Sequence, residues 1–316
     1  MKIQKLLLIG GNGFIGSHLI DVLLKKNFKV TVFDKFPERF REPIKNVNYI
    51  FKGKNNSDQL SRELLSADCI IYLASSINPA LKIKTSEGIL SELVPLAEVL
   101  DVIKDQNKRF IYLSSGGAVY GQNISGDKLD ESLECDPKSM YGFLKLSAEA
   151  LINFELKKSN TTYLILRPSN PYGPRQDPFG VQGAIGIFIR KGITNEPIQL
   201  FGDPRNIIKD YIYIKDLSEA IYKSCISDAN GLILNIGSGV GTSLSSLLEL
   251  ISCNLNSDIK TEILESRKSD VQKFILNIDS ARKILDWKPS IQMDDGINWT
   301  KEFIEELIQS KNEKNK

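Results

Sequence analysis

The first half of the chain alternates short apolar runs with amphipathic stretches. Lys5-Leu-Leu-Leu-Ile9 is an unbroken apolar run of strand length, and a helical pattern follows it through Lys26. Lys29-Val-Thr-Val-Phe33 reads as a second strand and ends in Asp34. Further strands are expected at Tyr49-Ile-Phe51, Cys69–Leu73, Phe110–Leu113 and Tyr163–Leu166. Helices are expected between them at Asp58–Leu65, Gly88–Lys104 and Met140–Lys157. Pro95 falls inside the second of these helices and is expected to kink it, because proline lacks the N–H and crowds the preceding turn. Strand following helix in this way predicts an α/β fold built on a doubly wound parallel sheet. Later in the chain Tyr211-Ile-Tyr-Ile-Lys215 alternates as a strand does. The polar tail Lys311–Lys316 is expected to fray, and no internal repeat is present.

Chemistry collects just after the strands. Gly10-Gly-Asn-Gly-Phe-Ile-Gly16 lies between the first strand and its helix. Gly10, Gly13 and Gly16 there give a tight turn, room for a pyrophosphate against the backbone, and close helix packing. Asp34, at the end of the next strand, is placed to accept both hydroxyls of an adenosine ribose, although a turn or cap aspartate would look the same. Ala74-Ser75, Ser114-Ser115 and Arg167–Asn170 also follow strand ends. In an open α/β sheet those ends share one edge, where ligands bind.

Tyr141 and Lys145 stand four apart on an expected helix and so share one face. An ammonium beside a phenol favours the phenolate and depresses its pKa from the ordinary ~10. A phenol so tuned can act as a general base toward a sugar or alcohol hydroxyl. The spacing alone is weak, because Tyr211 and Lys215 repeat it. In a strand that second pair would stand about 13 Å apart, at ~3.3 Å per residue, too far for the ammonium to act.

Composition narrows the classes. The 316 residues are 41% hydrophobic and 25% charged with net charge +2, ordinary for one large domain or two interlocked ones. So balanced a charge points to no nucleic-acid or membrane partner. Apolar runs such as Leu6–Ile9 are far too short to span a bilayer. Met1-Lys-Ile-Gln-Lys5 leads straight into a strand, so no signal peptide is expected. Cys69, Cys135, Cys225 and Cys253 are scattered, which fits reduced thiols in the cytoplasm. His18 is the only histidine, which excludes a histidine-based triad or multi-histidine metal site, and no metal is expected.

Taken together, GGNGFIG, the Asp34 strand end, YLSSGGAVYG (112–121), YGFLK, LRPSNPYGPRQ (166–176), DYIYIKD (210–216), NIGSG (235–239) and Arg267-Lys-Ser-Asp270 carry a resemblance over nearly the whole chain. The chain resembles the extended short-chain dehydrogenase/reductase family, within it the sugar-nucleotide epimerase/dehydratase group, and most of all UDP-glucose or UDP-N-acetylglucosamine 4-epimerases. The resemblance implies a Rossmann-type NAD-binding domain at 1–168 plus 210–227, and a smaller α/β substrate domain at 169–209 plus 228–316. It implies a catalytic set of Tyr141, Lys145 and Ser115 or Ser114. Cofactor contacts would come from Gly10, Gly13, Phe14, Ile15, Gly16, Asp34, Leu73, Ala74, Ser75, Tyr141 and Lys145. Substrate contacts would come from Ser115, Tyr141, Asn170, Arg205, Lys209, Arg267 and Asp270. It also implies a homodimer, in which helices 88–104 and 140–157 pair with their copies. Leu144, Leu146, Ala148, Leu151 and Ile152 give the latter helix apolar groups on more than one side.

The departures from the family pattern sharpen the expectation. Gly116 stands where relatives place a catalytic hydroxyl, leaving Ser115 and Ser114 as the nearest candidates. Lys54 stands where relatives often carry an adenine-holding aspartate. Lys209 replaces an arginine, serving as a point charge rather than a fork, with Arg205 close in the loop. The segment from Ser114 to Tyr120 contains no acid, which argues against dehydration and decarboxylation. The expected reaction is therefore NAD-dependent epimerisation at C4 of a nucleotide-diphosphate hexose. The alternative is an NAD(P)H-dependent reductase of a nucleotide-linked 4-keto-6-deoxy sugar. A non-catalytic redox sensor is disfavoured by the intact Tyr141 and Lys145. Asp34 would repel a 2′-phosphate and so favour NAD over NADP, unless Arg39 or Arg41 folds back to receive it.

Overall fold

Strand and helix alternate from the first element onward in the computed structural model, which describes residues 3–51, 57–78, 81, 83–121, 128–266 and 272–314. The order begins β1 (Lys5–Ile9), α1 (Phe14–Lys25), β2 (Lys29–Asp34), β3 (Val47–Phe51), α2 (Ser57–Ser66) and β4 (Cys69–Tyr72). It continues with α3 (Thr85–Gly88), a π-helical stretch (Ile89–Leu93), α4 (Val94–Ile103), β5 (Arg109–Leu113), α5 (Gly116–Val119), α6 (Met140–Leu156) and β6 (Thr162–Pro168). Then come β7 (Asn170–Tyr172), α7 (Ala184–Ile193), β8 (Ile198–Phe201), β9 (Ile208–Tyr213), α8 (Ile214–Ile226) and β10 (Leu232–Ile236). The last elements are β11 (Gly241–Ser243), α9 (Leu244–Leu255), β12 (Thr261–Leu264), β13 (Lys273–Phe274), α10 (Asp279–Leu285) and α11 (Met293–Lys314).

The large sheet has seven strands in the order β10-β6-β5-β4-β1-β2-β3, all parallel. Both faces are covered, which is why its strands read as continuous apolar runs rather than alternating ones. Leu6 and Leu8 of β1 enter one buried cluster, while Leu7 and Ile9 enter another on the opposite face. Burying one such side chain fully is worth roughly 1.5–3 kcal/mol. Strand order reverses at β1, with β2 on one side and β4 on the other. The crevice beyond the carboxyl ends of such strands is where an open α/β sheet receives its ligand.

Several expectations are corrected. Pro95 does not kink one long helix; the turn ahead of it widens into the π-helical stretch Ile89–Leu93, and Pro95 sits in the first turn of α4, where no N–H is needed. The strand at 210 stays in the small sheet, where β9 pairs with β7, β11 and β13. After α8 the chain returns to the large sheet as β10, which pairs with β6. The strand reading of Tyr211–Lys215 likewise ends at Tyr213, and Lys215 lies in α8 with its ammonium 4.8 Å from the Trp299 ring centroid. Nor does the tail fray at Lys311, because α11 continues to Lys314 and the Lys311 ammonium lies 3.3 Å from the Phe179 ring centroid. Among the described residues no helix is long and apolar enough to cross a membrane.

Candidate active site

Between β1 and α1 the backbone turns at Gly10, whose φ of +80° is disfavoured for a side-chain-bearing residue. A Cβ there would also fall 2.6 Å from the backbone of Ala74, so this crossing of two strand ends requires glycine. Gly16 packs as tightly, against Gly11. Gly13 differs: a Cβ on it would meet only the Gly10 carbonyl, at 3.7 Å, leaving open space above the first turn of α1. The first intrahelical bond runs from Ser17 N–H to Gly13 O at 2.9 Å, and no acid occupies that first turn. The N–H groups of Phe14, Ile15 and Gly16 therefore precede the helical ladder, the usual arrangement for holding an anion. At the end of β2 the Asp34 carboxylate accepts N–H bonds from Asn12 at 2.9 Å and from Lys35 at 2.6 Å. An open glycine, a helix N-terminus and a strand-end carboxylate fit the diphosphate and ribose of NAD. Arg39 is paired with Asp177 at 2.5 Å, and Arg41 with Glu38 at 2.6 Å and with Asp21, so neither charge is left unmatched for a 2′-phosphate. Lys54 lies outside the described residues.

Across the crevice, Ser139 caps α6 by accepting the Gly142 N–H at 3.1 Å, which sets the rotation of the helix. Gly142 allows α6 to sit against α5, since a Cβ there would lie 2.2 Å from the Ala118 carbonyl. Tyr141 and Lys145 then share the face over the end of β5. The Lys145 ammonium donates to Leu113 O at 3.2 Å and lies 5.8 Å from the Tyr141 ring centroid and 5.1 Å from that of Tyr112. Burial pushes the Tyr141 phenol up to about 12; a hydrogen bond with the Ser115 side chain opposes this, and the Glu92 charge adds to it. Burial pulls Lys145 down to about 8, against the opposing pull of Glu92 and Glu149. The depression of the phenol by its lysine is therefore not found in the protein alone, where burial raises the phenol and only Ser115 opposes it.

Of the two candidate serines, Ser115 lines the cleft with Tyr141 and lowers the pKa of its phenol, whereas Ser114 donates its hydroxyl to Glu149. The Gly116 position is tight for a side chain, because a Cβ there would sit 3.1 Å from both Leu276 and the Pro168 carbonyl.

These groups line a cleft of about 1070 Å³. Gly10, Gly13, Phe14, Ile15, Gly16, Leu73 and Ser75 line it, together with Ser115, Tyr141, Lys145, Asn170 and Lys209. Asn170 donates to the Asp210 carbonyl at 2.7 Å. Arg205 is not brought to the cleft: its side chain is exposed and pairs with Asp203 at 2.7 Å. Arg267 and Asp270 lie outside the described residues. Gln176, Gln182, Gln199 and Asn206 also line the cleft, and the sequence reading missed them because neutral amides, on loops or in β8 as Gln199 is, carry no spacing signal. His18 takes no part in this site; burial and then Arg175 lower it to about 4, and its ring contacts the Pro174 carbonyl at 2.7 Å. Among the described residues no group of His, Cys, Asp and Glu is arranged to hold a metal.

With this geometry in place, comparison with known proteins is decisive. A model of the NAD dependent epimerase/dehydratase family matches residues 6–237. The chain belongs to this family. The match takes in the glycine turn, the Tyr141–Lys145 pair and the strand β10 that closes the large sheet. This epimerase/dehydratase chain is 31% identical over 307 residues to a putative UDP-glucose 4-epimerase of Methanocaldococcus jannaschii, covering 94% of this chain and 98% of the relative. It is also 31% identical over 303 residues to a dTDP-4-dehydro-6-deoxyglucose reductase of Escherichia coli, covering 92% and 95%. Among solved structures, the UDP-glucose 4-epimerase of Thermotoga maritima with UDP-glucose is similar at a TM-score of 0.89 and 27% identity, covering 96% of this chain and all of that one.

Proposed function

We propose that this epimerase/dehydratase family member interconverts C4 epimers of a nucleotide-diphosphate hexose, a UDP-sugar, through a transient 4-keto sugar. The observation that carries the reading is the meeting of Tyr141, Lys145 and Ser115 over one cleft, with no acid between Ser114 and Tyr120. Gly10, Gly13 and the first turn of α1 would hold NAD, which when bound would supply the hydride acceptor and then the hydride donor. Tyr141 takes the proton from the C4 hydroxyl and returns it after the ketone has turned over in the pocket. Ser115 orients the reacting oxygen, and the Lys145 ammonium offsets the charge that a buried phenolate would carry. Asn170 and Lys209, which line the cleft, are the groups on the substrate side suited to the diphosphate. Glu92 approaches from the π-helical stretch, but its carboxylate is held by the Ser75 hydroxyl at 2.9 Å and the Ser76 N–H at 2.5 Å, so it is not free for elimination chemistry.

The reductase reading uses the same residues and is favoured by the relative of that name at equal identity. The two part on the fate of the cofactor. Incubation with UDP-glucose, UDP-N-acetylglucosamine and their dTDP- and lipid-linked counterparts should yield an epimer without net NAD turnover. Stoichiometric NADH oxidation with a 4-keto sugar, and no epimer from any of the others, would assign the reductase. We further propose a cytoplasmic homodimer. Leu90 and Val94 on one side and Phe143 and Phe154 on α6 are exposed, the last at 79%. The apolar residues chosen from sequence instead face inward: Leu144, Ala148 and Ile152 are buried, and Leu146 and Leu151 pack partly against the two cores.

A further inference from the structure

Behind the reacting groups lies a buried charge pair that the proton and hydride transfers do not use. Glu149 of α6 and Arg167 of β6 are each only 3% exposed and are joined by three hydrogen bonds, Nε to Oε1 at 3.0 Å and to Oε2 at 3.3 Å, and Nη2 to Oε2 at 2.6 Å. The Arg167 guanidinium in turn lies 4.8 Å from the Tyr120 ring centroid, and the Tyr120 hydroxyl donates to Asn235 Oδ1 at 2.8 Å. Burying such a pair is no route to stability, because an apolar pair of similar volume does as well or better. A fixed position is what a directed, charged contact adds.

Tyr141, Lys145 and Glu149 follow one another at spacings of four along α6, so they share a face. They reach three successive residues at the end of β5. Tyr141 meets Ser115, the Lys145 ammonium donates to Leu113 O at 3.2 Å, and Glu149 accepts from the Ser114 hydroxyl. We infer that Glu149, clamped by Arg167, is a positioning residue that braces the end of β5 through Ser114 and so fixes where the Ser115 hydroxyl meets the Tyr141 phenol. The inference rests on the epimerase reading only for its kinetic consequence. Its carboxylate also acts on Lys145, which is faced by Glu92 from the π-helical stretch, Tyr112 from β5, and Tyr141 and Glu149 from its own helix. Neutralising Glu149 removes one of the two carboxylates that keep the ammonium protonated.

The test compares Glu149→Gln, Glu149→Asp and Ser114→Ala in the full-length enzyme, by amide exchange over residues 113–119 and by the pH profile of kcat. Exchange in that segment should rise at least tenfold in Glu149→Gln and Ser114→Ala. In Glu149→Gln, kcat should fall at least tenfold with KM within twofold, and its alkaline limb should move to lower pH. Glu149→Asp and Ser114→Ala should keep the limb in place, since both leave the charge. Ser114→Ala removes only a hydroxyl, so it carries the exchange measurement if the Gln variant does not fold. Unchanged exchange over 113–119 in Ser114→Ala, or an unshifted limb in a folded Glu149→Gln, overturns the brace. A wild-type protein that makes no epimer while exchange still rises in the variants would sink the epimerase reading and leave the brace standing.

Discussion

At Tyr141 burial and the Ser115 hydrogen bond pull in opposite directions. To act as a base the phenol must sit dry yet give up a proton, and in the protein alone it stands near 12. Tyr141→Phe should therefore bind the sugar nucleotide almost normally but lose turnover by roughly 10²–10⁴-fold, since the missing interaction belongs to the transition state. Ser115→Ala should also lower kcat with little change in KM, and by more than Ser114→Ala. Equal, mild losses from the two serines would contradict the placement of Ser115 beside the phenol. Lys145 gives a second handle. Its pKa of about 8 in the folded protein lies below the ordinary 10.5, so between those values the unfolded chain binds more protons. The cost of burying this ammonium is thus fully present below about pH 8 and is relieved as pH rises toward 10.5. Free of NAD, the wild type should gain thermal stability relative to Lys145→Met over that window, measured as the difference in Tm. A difference flat with pH would contradict it. Tyr141 and Lys145 were legible because helical spacing alone puts them on one face. The choice between Ser114 and Ser115 was not, because adjacent strand-end hydroxyls point apart and only the fold decides which meets the phenol. Glu149 was visible merely as a helix position, since its partner Arg167 comes from another strand.

The elements were read from apolar runs, and that signal holds wherever a strand is covered on both faces, as in β1, β4 and β5. It weakens where packing, not pattern, sets a boundary. Tyr211 to Lys215 alternates like a strand, yet the chain turns into α8 after Tyr213, where the Asp216 carboxylate receives the Ser290 hydroxyl at 2.9 Å and the Ile291 N–H at 3.0 Å. Neither partner is near in sequence. Likewise Pro95 announced a break, but only neighbouring turns show that the strain is taken up as a π-helical widening that sends Glu92 toward the Ser75–Ser76 turn. The seat of α6 against α5 depends on the bare backbone of Gly142. Gly142→Ala should cost about 1–3 kcal/mol through overpacking and should lower kcat as well, by lifting Tyr141 away from Ser115. Thermal melts and steady-state kinetics on the same preparation check this; a wild-type Tm would mean that the contact is easily relieved.

In the whole molecule, the cleft lies at the point where the strand order reverses, between the large sheet and the smaller β7–β9–β11–β13 sheet. Gly10, Leu73 and Ser75 line that cleft and each follows a strand, so their meeting at one sheet edge was legible in the sequence. The substrate side was less legible: Arg205 and Lys209 are near in sequence, yet only the strand residue is turned into the cleft. On the outer surface, Phe154→Glu combined with Phe143→Glu should convert a dimer to a monomer by light scattering at micromolar protein, because charge on both sites opposes an apolar contact. A wild-type protein that is already monomeric would remove that proposal. The central claim is that one cofactor takes a hydride from C4 and returns it to the same carbon. The most direct measurement supplies UDP-glucose and UDP-N-acetylglucosamine deuterated at C4 and follows the label by mass spectrometry and NMR. The account predicts an epimer that keeps its deuterium at C4 with no deuterated NADH released, whereas an epimer that has lost the label to solvent or to free NADH would contradict it.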